Sequence, residues 1–158
     1  MQKTITTFLT YDGAAGEAVE LYTSIFPNSR VTEERWYGPA GPGDEGSLMT
    51  VSFELDGQEF MALNGGSSFT FAQGISLYVE CETQEEVDRY WEALSEGGEK
   101  GPCGWLTDRF GVSWQIVPRI LMELLSDPDR DRANRVMAAM LQMGKIEIAE
   151  LQKAADAG

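Results

Sequence analysis

The segments ITTFLTYDGAAGEAVELY (5 to 22) and LYVECETQEEVDRYW (77 to 91) share one order of apolar and polar positions. Each opens with an extended run, passes through a turn and continues with apolar residues at helical spacing. In the first helix Ala18, Leu21, Tyr22 and Ile25 recur at i, i+3, i+4 and i+7; in the second Val87, Tyr90, Trp91 and Leu94 do the same. Thr83, with Glu86 three residues on, is a capping box that opens the second helix, and Gly97-Gly98 closes it. Setting Leu9 on Leu77, an offset of 68, also aligns Glu17 with Glu85, Val19 with Val87 and Tyr22 with Tyr90. Such self-similarity predicts a duplicated unit.

Strand-like segments follow each helix. RVTEERWYG (30 to 38), SLMTVSFEL (47 to 55) and QEFMALNG (58 to 65) read as three strands, with Asp56-Gly57 turning the last hairpin. EKGP, GWLTD and VSWQIVP repeat the series after the second helix, with Asp108 to Gly111 as the turn. Gly57 on Gly111 is an offset of 54, so the second copy is 14 residues shorter, a difference that falls in the Gly/Pro-rich loop GPAGPGDEG (38 to 46). The expected fold class is therefore α+β: two tandem βαβββ modules forming curved mixed sheets around a cleft. Past Pro118 the pattern becomes helical. Asp127-Pro128 reads as an N-cap with proline at the first helical position. Ala133, Val136, Met137, Met140 and Leu141 form an apolar stripe ending at Gly144, and IEIAELQKAADA reads as a short terminal helix. The four methionines between 122 and 143 fit core or dimer packing.

The 158 residues are expected to form one domain, with module one at about 3–66, module two at about 72–118 and a helical tail at about 119–158. Hydrophobic residues are 42% of the chain and charged ones 24%, which excludes a disordered chain. No apolar run is long enough for a membrane span, and MQKTITTFLTYDG lacks the features of a signal peptide, so a cytoplasmic location is expected. Twelve basic against 26 acidic residues give a charge of −14, which repels phosphate backbones and anionic lipid and removes nucleic acid and membrane as partners. Cys81 and Cys103 are too few for a disulfide framework and read as free thiols.

Two tandem βαβββ units carrying EAVELYTSIFP in the first and TQEEVDRYWEALSEGG with CGWLTDRFGVSWQIVP in the second resemble the vicinal oxygen chelate (glyoxalase/bleomycin-resistance) superfamily. The resemblance is greatest to its PhnB-like branch, described as 3-demethylubiquinone-9 3-methyltransferase, and runs from residue 3 to about 152, the tail included. It implies eight strands in two curved four-stranded sheets, a cupped cavity and a homodimer. Metal-using members hold a divalent ion on the first and last strands of each unit, usually with two His and two Glu. Those positions fall here on Thr6 and Gly74 and on Met61 and Gln115, and the chain contains no histidine. None of the four residues is a good ligand. No metal site, cofactor or catalytic residue is therefore expected.

Gln115 takes the place where metal-using relatives carry a carboxylate, and an amide both donates and accepts hydrogen bonds without attracting a cation. It is expected to line a cavity with Ser76, Tyr78 and Asn64, and with Trp36, Trp105 and Cys103 as candidate walls. Turn chemistry explains Asn64 equally well, and core filling is the alternative for the tryptophans. Cys103 has only Lys100 near it in sequence to favour a thiolate. Asp108 and Arg109 read as turn and ion-pair residues. The function expected is metal-independent binding of a small organic molecule. The alternatives are a metal-dependent lyase or dioxygenase using oxygen ligands, and a methyltransferase, which Gly13-Ala-Ala-Gly16 supports only as a lone match to a donor-binding loop.

Overall fold

Leu9, Tyr11, Val51, Phe53, Leu55, Phe60 and Ala62 are all buried, while the residues between them are half-buried or exposed. Side chains on a strand alternate between faces, so this pattern defines one covered face of a sheet. The computed structural model describes residues 4–158; the expected module start at residue 3 lies outside them. Strands β1 (Thr7–Tyr11), β2 (Arg30–Trp36), β3 (Leu48–Leu55) and β4 (Gln58–Asn64) form a sheet in the order β1-β4-β3-β2. Its one parallel pair is β1 with β4. Asp56 and Gly57 both have positive φ, 47° and 79°, as the tight hairpin between β3 and β4 requires. Helix α1 (Ala15–Ile25) lies against this sheet and buries Ala15, Ala18, Val19 and Tyr22. Leu21 and Ile25, expected in the buried stripe, are only half-buried. The stripe runs instead through the small side chains Ala15 and Ala18, which sit flush on the sheet.

The same plan recurs in residues 71–158, which with 1–70 make two compact units. Strands β5 (Leu77–Cys81), β6 (Glu99–Lys100), β7 (Trp105–Thr107) and β8 (Ser113–Pro118) are ordered β5-β8-β7-β6, again with one parallel pair, β5 with β8. Helix α2 (Gln84–Ser95) buries Val87, Tyr90, Trp91 and Leu94, the stripe expected from its spacing. Thr83 accepts a hydrogen bond from the Glu86 backbone N–H at 3.2 Å, as the capping box predicts. Gly98 closes the helix where nothing larger fits, because a Cβ there would lie 2.1 Å from the Thr107 carbonyl oxygen. Asp108 is buried, and its carboxylate accepts from the Phe110 and Val112 backbone N–H groups and the Trp114 indole at 2.9 to 3.0 Å. It holds the β7–β8 turn from inside, while the Arg109 guanidinium lies over the Phe110 ring.

Three tail helices follow: α3 (Arg119–Leu125), α4 (Arg130–Met140) and α5 (Ile148–Ala155). The N-cap of α4 is Asp129, two residues beyond the expected Asp127, because the Asp127 carboxylate is engaged with the Asp129 N–H and with Arg132. Val136, Leu121, Ile146, Leu151, Ala155 and Val117 form the tail's core. Met137 and Leu141, expected in that stripe, are exposed. Two side chains fasten the tail to α2. Gln84 donates to the Ile146 carbonyl and to Asp88, and accepts from the Ile148 N–H at 2.8 Å. Lys145 adds an ion pair to Asp88 at 2.9 Å. Among the described residues no helix is long and apolar enough to cross a membrane.

Three outcomes follow. Asp108→Ala leaves two backbone donors and an indole N–H without their buried acceptor, and should cost about 3 kcal/mol in urea unfolding. Gln84→Ala should raise hydrogen-exchange rates across 146–151 about tenfold while leaving β5 to β8 protected. The Lys145 and Gln84 bonds hold the Asp88 carboxyl below its ordinary 3.8. The stabilisation from this pair is thus present above pH 3.8 and is lost as pH falls below it, so acid should loosen the same segment.

Candidate functional site

In VSWQIVP alternate residues take opposite faces. Trp114 and Ile116 are buried with Leu106 on the covered face, against which α2 packs. Gln115 belongs to the other face, where pairing brings Tyr78 of β5 beside it on one side and Trp105 of β7 on the other. Ser76, two residues before Tyr78, joins this row: the Gln115 side-chain amide donates to the Ser76 hydroxyl oxygen at 3.0 Å. Four of the seven candidates therefore share one surface. Tyr78 is 49% exposed. Its phenol is held above the ordinary 10.0, chiefly by burial of part of the ring and also by the Glu80 carboxylate, so it remains a hydrogen-bond donor across the ordinary pH range.

A cavity of about 490 Å³ adjoins the row, lined among others by Gln73, Gly101, Pro102, Trp105, Thr107 and Ser113. Its volume is in the range of small-molecule sites. Thr107 and Ser113 pair across β7 and β8 and add hydroxyls that the sequence reading did not single out. The alternation that exposes Gln115 carries Ser113 to the same face, so that signal was present in VSWQIVP.

The other three candidates lie elsewhere. Asn64 ends β4, and its amide is engaged on both sides: the carbonyl oxygen accepts from the Ala15 N–H at 2.8 Å and the nitrogen donates to the Leu48 carbonyl. Ala14, at the N-cap of α1, has no capping side chain, and Asn64 supplies the cap from 49 residues away. Trp36 is the exposed last residue of the edge strand β2. Cys103 sits in the loop before β7 at φ 57°, half-buried, with its N–H bound to the Met143 carbonyl. Cys81 lies on the covered face, where burial and Glu86 push its thiol up to about 12.

The pairing also revises the internal alignment. Phe8 faces Met61 as Tyr78 faces Gln115, so the first strands are offset by 70 and the last by 54. Phe8 and Tyr78 are equally exposed, at 49%. The counterpart of Thr6 is therefore Ser76 and not Gly74, which lies in the turn before β5. The second copy loses two residues between strand and helix: Tyr11 precedes Val19 by eight positions, Cys81 precedes Val87 by six. At the positions where metal-using members carry ligands this chain thus has Thr6, Ser76, Met61 and Gln115. Two hydroxyls, a thioether and an amide are weak, neutral donors that do not suit a divalent ion. Among the described residues no three His, Cys, Asp or Glu side chains converge as a cation site.

The family model for 3-demethylubiquinone-9 3-methyltransferase matches residues 3–117. The PhnB protein of Bacillus cereus is 40% identical and superposes with a TM-score of 0.67 over 73% of this chain and 99% of that one. The chain belongs to the PhnB-like branch of the vicinal oxygen chelate superfamily. A Pseudomonas aeruginosa protein at 23% identity (TM-score 0.61, 73% of this chain and 96% of that one) shares the fold. So does the fosfomycin resistance protein FosX of Listeria monocytogenes, solved with Mn(II) and sulfate, at 18% identity (TM-score 0.51, 72% and 89%). No curated protein matches. The family match ends at 117, not near 152; the tail beyond it builds a helical core that Val117 joins.

Iodoacetamide at about pH 8 should therefore spare Cys81 in the folded protein and label it only on unfolding, read by mass spectrometry of the alkylated peptides. Because folded Cys81 favours its protonated form, its contribution to stability is complete below pH 9.0 and is lost as pH rises through about 12.

Proposed function

We propose that this PhnB-like protein binds a small organic molecule on the face of its second sheet opposite α2, without a divalent ion. The observation that carries the reading is the row Tyr78, Gln115 and Trp105, with Ser76 bonded to Gln115. Here hydrogen-bonding groups and an aromatic wall meet beside a cavity of ligand size. Each polar group is neutral, and two of them, Ser76 and Gln115, stand at strand positions where metal-using relatives carry ligands. FosX, solved with Mn(II), exemplifies the fold with a bound ion; the residues of the present chain support ligand binding by hydrogen bonds and stacking instead. Asn64, Trp36 and Cys103 are left out of the proposed surface in its leading form. A cytoplasmic, homodimeric protein remains part of the reading.

Methyl transfer, the activity in the family's description, would require a donor site. A nucleotide-type methyl donor usually sits on a Gly-rich turn at the carboxyl end of an open parallel sheet. Each four-stranded sheet here has a single parallel pair, which gives that reading no support.

A fragment library screened by two-dimensional NMR tests the proposal. Hits should shift resonances of Ser76, Tyr78, Trp105 and Gln115, bind equally well with and without EDTA, and weaken about tenfold in Gln115→Ala. Shifts confined to other surfaces, or unchanged affinity in Gln115→Ala, would leave Gln115 a structural residue. Loss of binding in EDTA, restored by Mn(II) or Zn(II), would overturn metal independence.

A further inference from the structure

Among the described residues the Gln115 side chain makes one hydrogen bond, from its amide nitrogen to Ser76 Oγ. A primary amide can donate two hydrogen bonds and accept two, and a serine hydroxyl can both donate and accept. The bond between them uses one donor and one acceptor. What remains beside it is an amide carbonyl that accepts and a hydroxyl that donates. Turning the amide end for end reverses the pair: the hydroxyl then donates to Gln115, leaving the amide N–H to donate and the serine lone pair to accept. In both orientations the surface offers a donor next to an acceptor, and a further amide N–H remains to donate.

Charge narrows the partner. The row itself contains no cation. Glu80, on the same face of β5, is paired with Arg119 at 3.4 Å, and Lys100, at the cavity edge, is paired with Glu92 at 3.4 Å. A carboxylate or phosphonate placed on Gln115 and Ser76 would lose water without gaining a counter-charge, in a protein of net charge −14. A cation placed on the pair would find no carboxylate on either residue; the one carboxylate that lines the adjoining cavity, Glu99, lies on β6, two strands from Gln115. Trp105, the row residue that also lines the adjoining cavity, and Pro102 supply a flat, apolar part of its wall.

On the binding role proposed above, we infer that Ser76 and Gln115 together recognise an uncharged carboxamide or lactam, whose adjacent C=O and N–H complement the pair while an attached flat ring lies toward Trp105. The group is held by two neutral hydrogen bonds, so it discriminates against the isosteric acid, which lacks the N–H and carries an uncompensated charge.

Benzamide, benzoate and benzamidine have the same shape and differ in charge, and are titrated against the full chain by NMR at Gln115, Ser76 and Trp105. Benzamide should bind saturably and at least tenfold more tightly than the other two. Ser76→Ala and Gln115→Leu should each weaken it about tenfold, and Gln115→Glu, which keeps the shape, should shift the preference to benzamidine. Unchanged chemical shifts at β8 residues remote from the row confirm that each variant is folded. Equal or tighter binding of benzoate or benzamidine at these residues by the native protein overturns the inference and leaves the binding reading intact. So does silence from all three probes when other library compounds perturb the row. A library in which nothing perturbs the row overturns the binding reading and the inference with it.

Discussion

One helix covers one face of a four-stranded sheet, and its apolar contacts decide which residues the other face must carry. In the second unit α2 takes Leu106, Trp114 and Ile116 out of water, and β8 can satisfy that demand only by directing Ser113, Gln115 and Val117 the opposite way. A slip of one residue in β8 would bury the Gln115 amide under α2 and expose the Trp114 indole. Asp108 guards against that slip, because it bonds the Trp114 nitrogen and two backbone groups of the turn that feeds β8. The position of the candidate ligand-binding amide is thus a by-product of core packing. No strain or special loop is needed to present it.

Much of this was legible in the sequence because strands and helices repeat at periods of two and 3.6, and the chain uses them twice. The strands of both copies, the α2 stripe, the Thr83 cap and the Asp56-Gly57 turn all follow from short-range patterns, and all are present. What failed depends on relations that spacing does not carry. An alignment anchored on helix identities placed Gly74 opposite Thr6, since a two-residue deletion between strand and helix leaves the helical match undisturbed while shifting the strand. Asn64 looked like a cavity or turn residue because its role, capping a helix 49 positions away, is visible only once β4 lies beside α1. In the tail, Asp127 and Asp129 both suit an N-cap, and the choice rests on which carboxylate Arg132 claims.

The tail extends beyond the family match, yet its attachment reaches the candidate site. The Cys103 and Gly104 N–H groups donate to the Met143 and Gly144 carbonyls. That short ladder precedes Trp105 directly and lies next to Pro102 on the cavity wall. Gly104 is required at this approach: its φ is 85°, and a Cβ would meet the Ile116 carbonyl at 2.8 Å and the Ile146 side chain at 3.2 Å. Gln84 and Lys145 then tie the following residues to α2. The segment that orients Trp105 is therefore held from both sides, by its own sheet and by an element outside the matched region.

An amide where relatives place a metal ligand changes the chemistry more than its size suggests. Glutamine and glutamate fill nearly the same volume, so the sheet packing that presents one would present the other. A carboxylate beside an imidazole concentrates charge that must be balanced by an ion, and that ion then sets the geometry of whatever binds. Replacing both with an amide and a hydroxyl removes the charge and gives the geometry to a direct hydrogen bond, 3.0 Å long, between two protein side chains. Such a pair is already organised before a ligand arrives and loses little freedom on binding. An amide and a hydroxyl by themselves bring no Lewis acidity to a bound oxygen. On the binding role proposed above, the same strand position would serve recognition of a neutral group in place of polarisation, with no change in fold.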